Sequence, residues 1–106
     1  MNSRRFALGL ALLAAAAAPA LAQEDAFALR QQSLAASCAA CHGTAGRPPA
    51  TATLPALAGM PATELVARMK AFRSGTRPAT VMRQLALGYS DAQIEALGAF
   101  FASQPR

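Results

Sequence analysis

The fold of this chain is decided by five residues, Cys38-Ala39-Ala40-Cys41-His42. They form a C-x-x-C-H pattern, the signature of covalent haem attachment. Two thiols three positions apart lie on nearly the same side of a helical turn, so both can form thioether bonds with the vinyl groups of one haem. His42 follows at once, where its imidazole can bind the iron. The motif therefore predicts one covalently bound haem, attached through Cys38 and Cys41 and ligated by His42.

Three other interpretations of these cysteines are weaker. A thioredoxin-like redox pair needs a β-α-β context, and the chain has no such pattern. A structural zinc site needs four protein ligands, but the chain after residue 22 offers only Cys38, Cys41 and His42 as strong ones. A disulfide across two intervening residues is geometrically awkward and leaves His42 unexplained. A structural or thiol-exchange protein would keep free thiols and hold no covalent haem.

The composition independently indicates a missing core component. The chain of 106 residues is 54% hydrophobic, but 29 of the 57 residues counted are alanine. From residue 23 onward, Leu, Ile, Val and Phe make up 15 of 84 residues, or about 18%. A chain in which these residues make up less than roughly 20% has too few large apolar side chains for an ordinary core. A cofactor could supply the missing apolar contacts, whereas a multidomain enzyme or a large catalytic cleft is excluded by the length.

The first 22 residues are predicted to be a cleaved signal peptide. Arg4-Arg5 is followed by an apolar run over 6–18 and by Ala20-Leu21-Ala22, an A-x-A cleavage pattern. An uncleaved anchor is the alternative, but the 17 residues of 6–22 are alanine-rich and at the short limit for a membrane span. We therefore expect cleavage after Ala22, a mature domain over 23–106, and a periplasmic location in a Gram-negative bacterium. No other stretch is apolar enough to span a membrane.

The mature domain is predicted to contain short helices and no strand. A Gly- and Pro-rich loop is predicted over 43–59. The last helix has the clearest start, because Ser90 and Gln93 can form a capping box. Helices are predicted at 26–37, from Pro61 to Gly75 with Leu65, Met69 and Phe72 on one face, at 80–87, and from Ser90 onward with Ile94, Leu97 and Phe101 as the apolar face. Gly98, on or near that face, would let another helix approach closely.

The sixth iron ligand has three candidates, because the chain has a single histidine. Methionine is a common partner of histidine in such sites, and it raises the reduction potential. Met69 lies on an apolar helical face, which favours a core role. Met60 lies at a loop–helix junction, where a flexible side chain fills gaps. Met82 is far enough from His42 to reach the opposite haem face, so spacing favours it; an open sixth position, as in a ligand-binding haem protein, is the alternative.

The chain also resembles a known family over roughly 33–104. It is similar to small class I cytochromes c, of the type related to the cytochrome subunit of flavocytochrome c sulfide dehydrogenase and to cytochromes c4 and c553. The residues that carry the resemblance are Cys38-Ala39-Ala40-Cys41-His42-Gly43-Thr44, Leu54-Pro55-Ala56-Leu57-Ala58-Gly59, Met69, Phe72, Gly75, Thr80-Val81-Met82-Arg83, Gly88-Tyr89-Ser90-Asp91 and Phe100-Phe101. The block over 80–91 most resembles the sulfide dehydrogenase subunit.

The resemblance implies an all-α class I cytochrome c fold, with short helices wrapped around one haem c. It assigns Met82 as the axial methionine. It also implies that the carbonyl of Pro55 accepts the Nδ1 hydrogen of His42, which would orient the ring. Finally, it places Phe27 or Leu34 against the 97–101 face, where the first and last helices would cross.

The implied function is single-electron transfer, with no catalysis expected from the chain alone. The best specific hypothesis is the electron-accepting subunit of a sulfide-oxidising flavoprotein; the alternative is a free c4/c553-like shuttle. The mature charge is +3, from eight basic and five acidic residues, and no nucleic-acid motif is present. Five basic residues fall within 16 positions and form either a docking rim for an acidic redox partner or a solvated face: Arg68, Lys70, Arg73, Arg77 and Arg83.

Overall fold

The computed structural model describes residues 22–106. The chain divides into two units, Met1–Arg30 and Gln31–Arg106. In the first unit, residues 22–30 are helical, and Phe27 and Leu29 are exposed. The predicted signal peptide lies outside the described residues, apart from its last residue. None of the helices in residues 22–106 has the length and apolar content that a membrane span needs.

The described residues form helices, turns and loops, with no strand among them. This confirms the all-α fold class. The first helix, α1, covers 22–36. The other elements are α2 (Ala39–His42), a 3₁₀ turn (Thr44–Gly46), α3 (Ala62–Ser74), α4 (Met82–Ala86) and α5 (Asp91–Ala102).

Helix α3 begins and ends at the residues that the sequence predicts. Pro61 precedes it with φ −53° and ψ 135°, a backbone conformation that suits proline before a helix. Gly75 follows it with φ 83° in the left-handed region, and its N–H donates to the Phe72 carbonyl. The helix therefore stops where a residue without a side chain can reverse the backbone.

Helix α5 has the predicted capping box. The Gln93 N–H donates to Ser90 Oγ at 3.2 Å, and the Ser90 N–H donates to Gln93 Oε1 at 2.9 Å. Two backbone donors that a helix start would leave unpaired are thus satisfied by side chains.

The core of the second unit lies where α3 and α5 pack together. Its largest fully buried side chains all come from α5. A Cβ built at Gly98 would lie 3.0 Å from both the Ala62 carbonyl oxygen and Val66 Cγ2, so the predicted close approach is made by α3. Leu34 packs against the same core. The buried members are Ala35, Leu65, Met69, Ala86, Ile94, Leu97 and Phe101.

Candidate haem site

His42 is the last residue of α2 and is 8% exposed. Its Nδ1 lies 2.8 Å from the Pro55 carbonyl oxygen. A carbonyl only accepts hydrogen bonds, so Nδ1 must carry the proton and donate it. In the neutral tautomer that has its proton on Nδ1, Nε2 is the nitrogen that can bind a metal. This contact, implied above only by the family resemblance, is present in the structure.

The loop that carries Pro55 is fastened to the turn just after His42. The Gly46 carbonyl accepts from the Leu57 N–H at 2.9 Å and from the Ala58 N–H at 3.1 Å. Gly46 has φ +76°, and a Cβ there would lie 2.7 Å from the Ala58 nitrogen. Glycine is therefore required at this position, and it lets the two segments meet closely enough to hold Pro55 beside His42.

Cys38 and Cys41 are both free thiols on one helical turn. Cys38 caps α2, and its carbonyl accepts from the Cys41 and His42 N–H groups at 3.3 and 2.9 Å. Cys38 is half-buried and Cys41 is exposed. Burial raises the pKa of the Cys38 thiol, and the neighbouring Ser37 side chain offsets this only in part. Burial therefore favours the uncharged form of the Cys38 thiol.

The three candidate methionines have different surroundings. Met69 is 8% exposed and belongs to the core, which confirms its predicted packing role. Met60 packs against the core and also lines a cavity of about 370 Å³ with Arg47 and Arg106. Met82 is the first residue of α4, half-buried, and lies one helical turn before the fully buried Ala86. This cavity is not lined by Cys38, Cys41 or His42, the residues predicted to hold the haem.

Large apolar side chains are exposed in the two segments that contain Pro55 and Met82. Leu54, which precedes Pro55, is 45% exposed. Val81 and Leu85, on either side of Met82 in the sequence, are 56% and 46% exposed. Such exposure is costly in a domain with few large apolar residues, and a flat apolar cofactor would relieve it. Together with the free thiols and the oriented imidazole, these side chains fit a covalently bound haem.

The family model described as Cytochrome c matches residues 28–105. The chain belongs to the cytochrome c family. Proteins of this family bind haem c covalently, and the described residues of this cytochrome c fit that cofactor.

The relatives of this chain include cytochromes and proteins named as electron acceptors or cytochrome subunits of dehydrogenases. A thiosulfate dehydrogenase electron acceptor from Thiomonas intermedia is 40% identical over 68 residues, 64% of this chain and 31% of the relative. Cytochrome c-554(548) from Halomonas halodenitrificans is 41% identical over 71 residues, 64% of this chain and 84% of the relative. The cytochrome subunit of sulfide dehydrogenase from Chlorobaculum tepidum is 31% identical over 74 residues, 70% and 66% respectively. The chain spans about a third of the length of the thiosulfate dehydrogenase electron acceptor.

The structure divides the predicted basic rim into two groups. Three of the five side chains face carboxylates: Arg68 pairs with Glu64, Lys70 lies 4.0 Å from Glu95, and Arg73 pairs with Asp91. These three match the solvated-face interpretation, because their charges are offset locally.

The other two, Arg77 and Arg83, have no carboxylate partner among residues 22–106. The Arg77 guanidinium lies over the Phe72 ring, 5.2 Å from its centroid. A Cβ built at Gly75 would lie 3.3 Å from Arg83 Nε, so this side chain reaches the same end of α3. Both free cations therefore lie at the carboxyl end of α3, next in sequence to the Met82 segment.

Sequence reasoning missed one long-range contact near the cysteines. Ser37 Oγ and Tyr89 Oη are 2.8 Å apart although 52 positions separate the two residues. Tyr89 belongs to the block that carries the family resemblance, but nothing in that block pairs it with Ser37, and a hydroxyl pair has no periodic signal, so only the tertiary structure reveals this bond.

Proposed function

We propose that this cytochrome c carries single electrons, with haem c attached through Cys38 and Cys41 and its iron bound by His42 and Met82. When bound, the haem supplies an Fe(III)/Fe(II) couple that accepts and releases one electron. The chain's own task is to hold the cofactor, set its potential and present it to redox partners.

The observation that carries this proposal is the hydrogen bond from His42 Nδ1 to the Pro55 carbonyl. It leaves Nε2 free to bind a metal and makes that nitrogen more basic. The same helical turn contains both free thiols, Cys38 and Cys41. A buried histidine oriented in this way beside two thiols is what covalent attachment and axial ligation require.

Met82 is proposed as the second axial ligand. A thioether is a soft, neutral donor, so it favours Fe(II) and raises the potential. The core position of Met69 favours a packing role, whereas Met82 begins a short helix with exposed apolar neighbours. Ligation by Met82 also makes the ligand-binding alternative, with an open iron, the less favoured function.

The proposed ligand set is tested by comparing Met82→Leu with Met69→Leu in the holoprotein. Both changes conserve volume and should cost less than about 1.5 kcal/mol in packing. Met82→Leu is expected to abolish the weak red-edge band of a Met–Fe(III) bond and to lower the potential. Met69→Leu should change neither. A Met82→Leu protein with the parent spectrum would place the ligand elsewhere, and a five-coordinate high-spin parent would refute His/Met ligation.

Residues 1–22 are proposed to be a signal peptide cleaved after Ala22, which leaves the cytochrome domain over 23–106 in the periplasm. The supporting observations are the Arg4-Arg5 pair, the apolar run and the A-x-A site. Export by a signal peptide is consistent with covalent haem attachment outside the cytoplasm. Amino-terminal sequencing of the protein from a periplasmic extract should begin at Gln23; a start at Met1 would contradict the proposal.

The proposed physiological role is to accept electrons from a periplasmic dehydrogenase of an inorganic sulfur compound, with a sulfide-oxidising flavoprotein as the specific hypothesis. The names of two relatives, a thiosulfate dehydrogenase electron acceptor and a sulfide dehydrogenase cytochrome subunit, support this class of partner. Co-purification from native periplasm is the test. A larger flavin-containing partner would support the sulfide hypothesis. A donor that contains molybdenum or haem instead of flavin would contradict it and indicate a different dehydrogenase.

A free electron shuttle is the second candidate. It is favoured by the match to cytochrome c-554(548), of whose length this chain spans 84%. A shuttle elutes alone at the mass of a small monomer, whereas a stable subunit co-elutes with its dehydrogenase. Size-exclusion chromatography of a native extract, followed by haem absorbance, distinguishes the two.

For either role, Arg77 and Arg83 are the proposed contacts for an acidic partner surface. Their charges are not offset by carboxylates in the described chain, and exposed Val81 and Leu85 lie beside them in sequence. Charges of this kind steer association at low ionic strength. The double variant R77Q/R83Q should slow electron transfer to an anionic acceptor such as hexacyanoferrate(III), and R68Q/K70Q, with the same net charge, should slow it much less. Equal slowing would show that only net charge matters.

A further inference from the structure

The hydroxyl of Tyr89 makes a hydrogen bond that joins two distant parts of the chain. Ser37 Oγ donates to the Leu34 carbonyl at 2.9 Å. The serine hydroxyl has one hydrogen, so the 2.8 Å contact between the two hydroxyl groups is made with Tyr89 as donor and Ser37 as acceptor. Ser37 immediately precedes Cys38, so this bond ends one residue before the proposed haem attachment.

The backbone of Tyr89 is tied to the helix that begins with Met82. The Tyr89 N–H donates to the Ala86 carbonyl at 3.3 Å, at the end of α4. On the other side, Arg73 Nη1 donates to the Tyr89 carbonyl at 3.2 Å and fixes the residue to α3. The ring itself is half-buried against the core. Tyr89 is therefore held at both its amide and its carbonyl, and its hydroxyl is directed to the turn before Cys38.

We infer that Tyr89 is a positioning residue whose hydroxyl, bound to Ser37, holds the Met82 segment against the Cys38 segment. The inference rests on the proposed ligand set. Met82 begins α4, and Tyr89 is bonded to the end of α4, so a movement of α4 that carried Met82 away from the iron would strain or break the Tyr89–Ser37 bond. The bond therefore shifts the equilibrium between a closed and an open Met82 segment toward the closed state.

Imidazole is the probe for this equilibrium, because it binds ferric iron only after the methionine has left. In this exchange an Fe–S bond breaks and an Fe–N bond forms, with no change of oxidation state. The apparent affinity of imidazole is proportional to the open fraction. An intramolecular hydrogen bond contributes about 0.5–1.5 kcal/mol, so Y89F should bind imidazole about two- to tenfold more tightly than the parent holoprotein.

Ser37→Ala removes the acceptor and should have the same effect as Y89F. If both variants act through one bond, the double variant Y89F/S37A should match either single variant rather than multiply their effects. Ser103→Ala is the matched control, because Ser103 Oγ donates at 2.8 Å to the Phe100 carbonyl within its own helix end. It should leave the imidazole affinity unchanged. Urea unfolding of each variant separates local opening from a general loss of stability.

Unchanged imidazole affinity in both Y89F and S37A would overturn the inference, and so would multiplicative effects in the double variant. A purely structural role would lower the urea midpoint and leave the affinity unchanged, which also contradicts the inference. Failure of the proposed ligand set looks different: the parent would lack the Met–Fe(III) band and bind imidazole without competition. The two failures are thus distinguished in the parent protein before any variant is made.

Discussion

Replacing Gly46 by alanine should damage both the stability of the domain and the setting of its proposed haem ligand. Gly46 has φ +76°, and its carbonyl holds the segment of Leu57 and Ala58. A Cβ there would lie 2.7 Å from the Ala58 nitrogen and 2.9 Å from Phe101 Cδ1. Neither contact can be relieved by rotating a flexible side chain, because one atom is backbone and the other belongs to a ring that is 1% exposed.

The expected loss follows from two contributions. A left-handed backbone costs a residue with a Cβ about 1–2 kcal/mol. Overpacking a well-packed site costs about 1–3 kcal/mol more. The free energy of unfolding should therefore fall by about 2–5 kcal/mol, which lowers Tm by at least about 8 °C in a domain of this size.

The matched control is Gly59→Ala. Gly59 also has positive φ, at +69°, but a Cβ there would meet the exposed side chain of Arg106, with Cγ at 2.5 Å. That side chain can move aside, so only the backbone cost of about 1–2 kcal/mol should remain. The difference between the two variants measures how tightly the Gly46 contact is packed.

Thermal and urea unfolding of the holoprotein measure stability, and a redox titration measures the potential. If Gly46→Ala displaces the loop that carries Pro55, the bond from His42 weakens and the imidazole becomes less basic. A less basic ligand stabilises Fe(III) less, so the potential should rise. Equal losses in Gly46→Ala and Gly59→Ala, or an unchanged potential in a folded Gly46→Ala protein, would refute the reasoning.

Three further predictions concern other parts of the domain. Met69→Ala should lower the free energy of unfolding by about 2–5 kcal/mol and leave the optical spectrum unchanged, because Met69 is a buried core residue; a spectral change would contradict its core role. Ser90→Ala should cost about 0.5–2 kcal/mol in urea unfolding by breaking the capping box with Gln93, and no loss would show that solvent replaces the cap. The hydrogen bond and charge of Arg73, followed by the charge of Lys70, hold the pKa of the Asp91 carboxyl below its usual range. Its contribution to stability is therefore complete above the ordinary carboxyl pKa of about 3.9 and is lost as the pH falls through the lowered value, so Asp91→Asn should flatten this part of the acid unfolding curve.

Much of the fold could be predicted because its signals are local. Pro61 and Gly75 bound α3 through their own backbone preferences, and Ser90 starts α5 through a partner three residues away. The core role of Met69 followed from helical periodicity. Each of these features depends on neighbours within about one or two helical turns, and such neighbours are visible in a linear sequence.

Only part of the proposed site depends on such local signals. The C-x-x-C-H motif specifies Cys38, Cys41 and His42 as a unit, and the family resemblance singles out Pro55 across a loop. The sequence could not choose between a docking rim and a solvated face, because that choice depends on which arginines meet carboxylates from another helix. Arg73 meets Asp91 across 18 positions, whereas Arg77 meets a ring five residues back.

By itself, the sequence determined the helical class, the bounds of α3, the start of α5, the haem motif and the deficit of large apolar residues. Tertiary structure alone decided that Gly46 fastens the Pro55 loop beside His42, that Gly98 meets α3, and that Tyr89 bonds to Ser37. The physical reason is the range of the interactions. Backbone preference and capping act between neighbours, but a close approach or a hydrogen bond between distant segments exists only after the chain has brought them together.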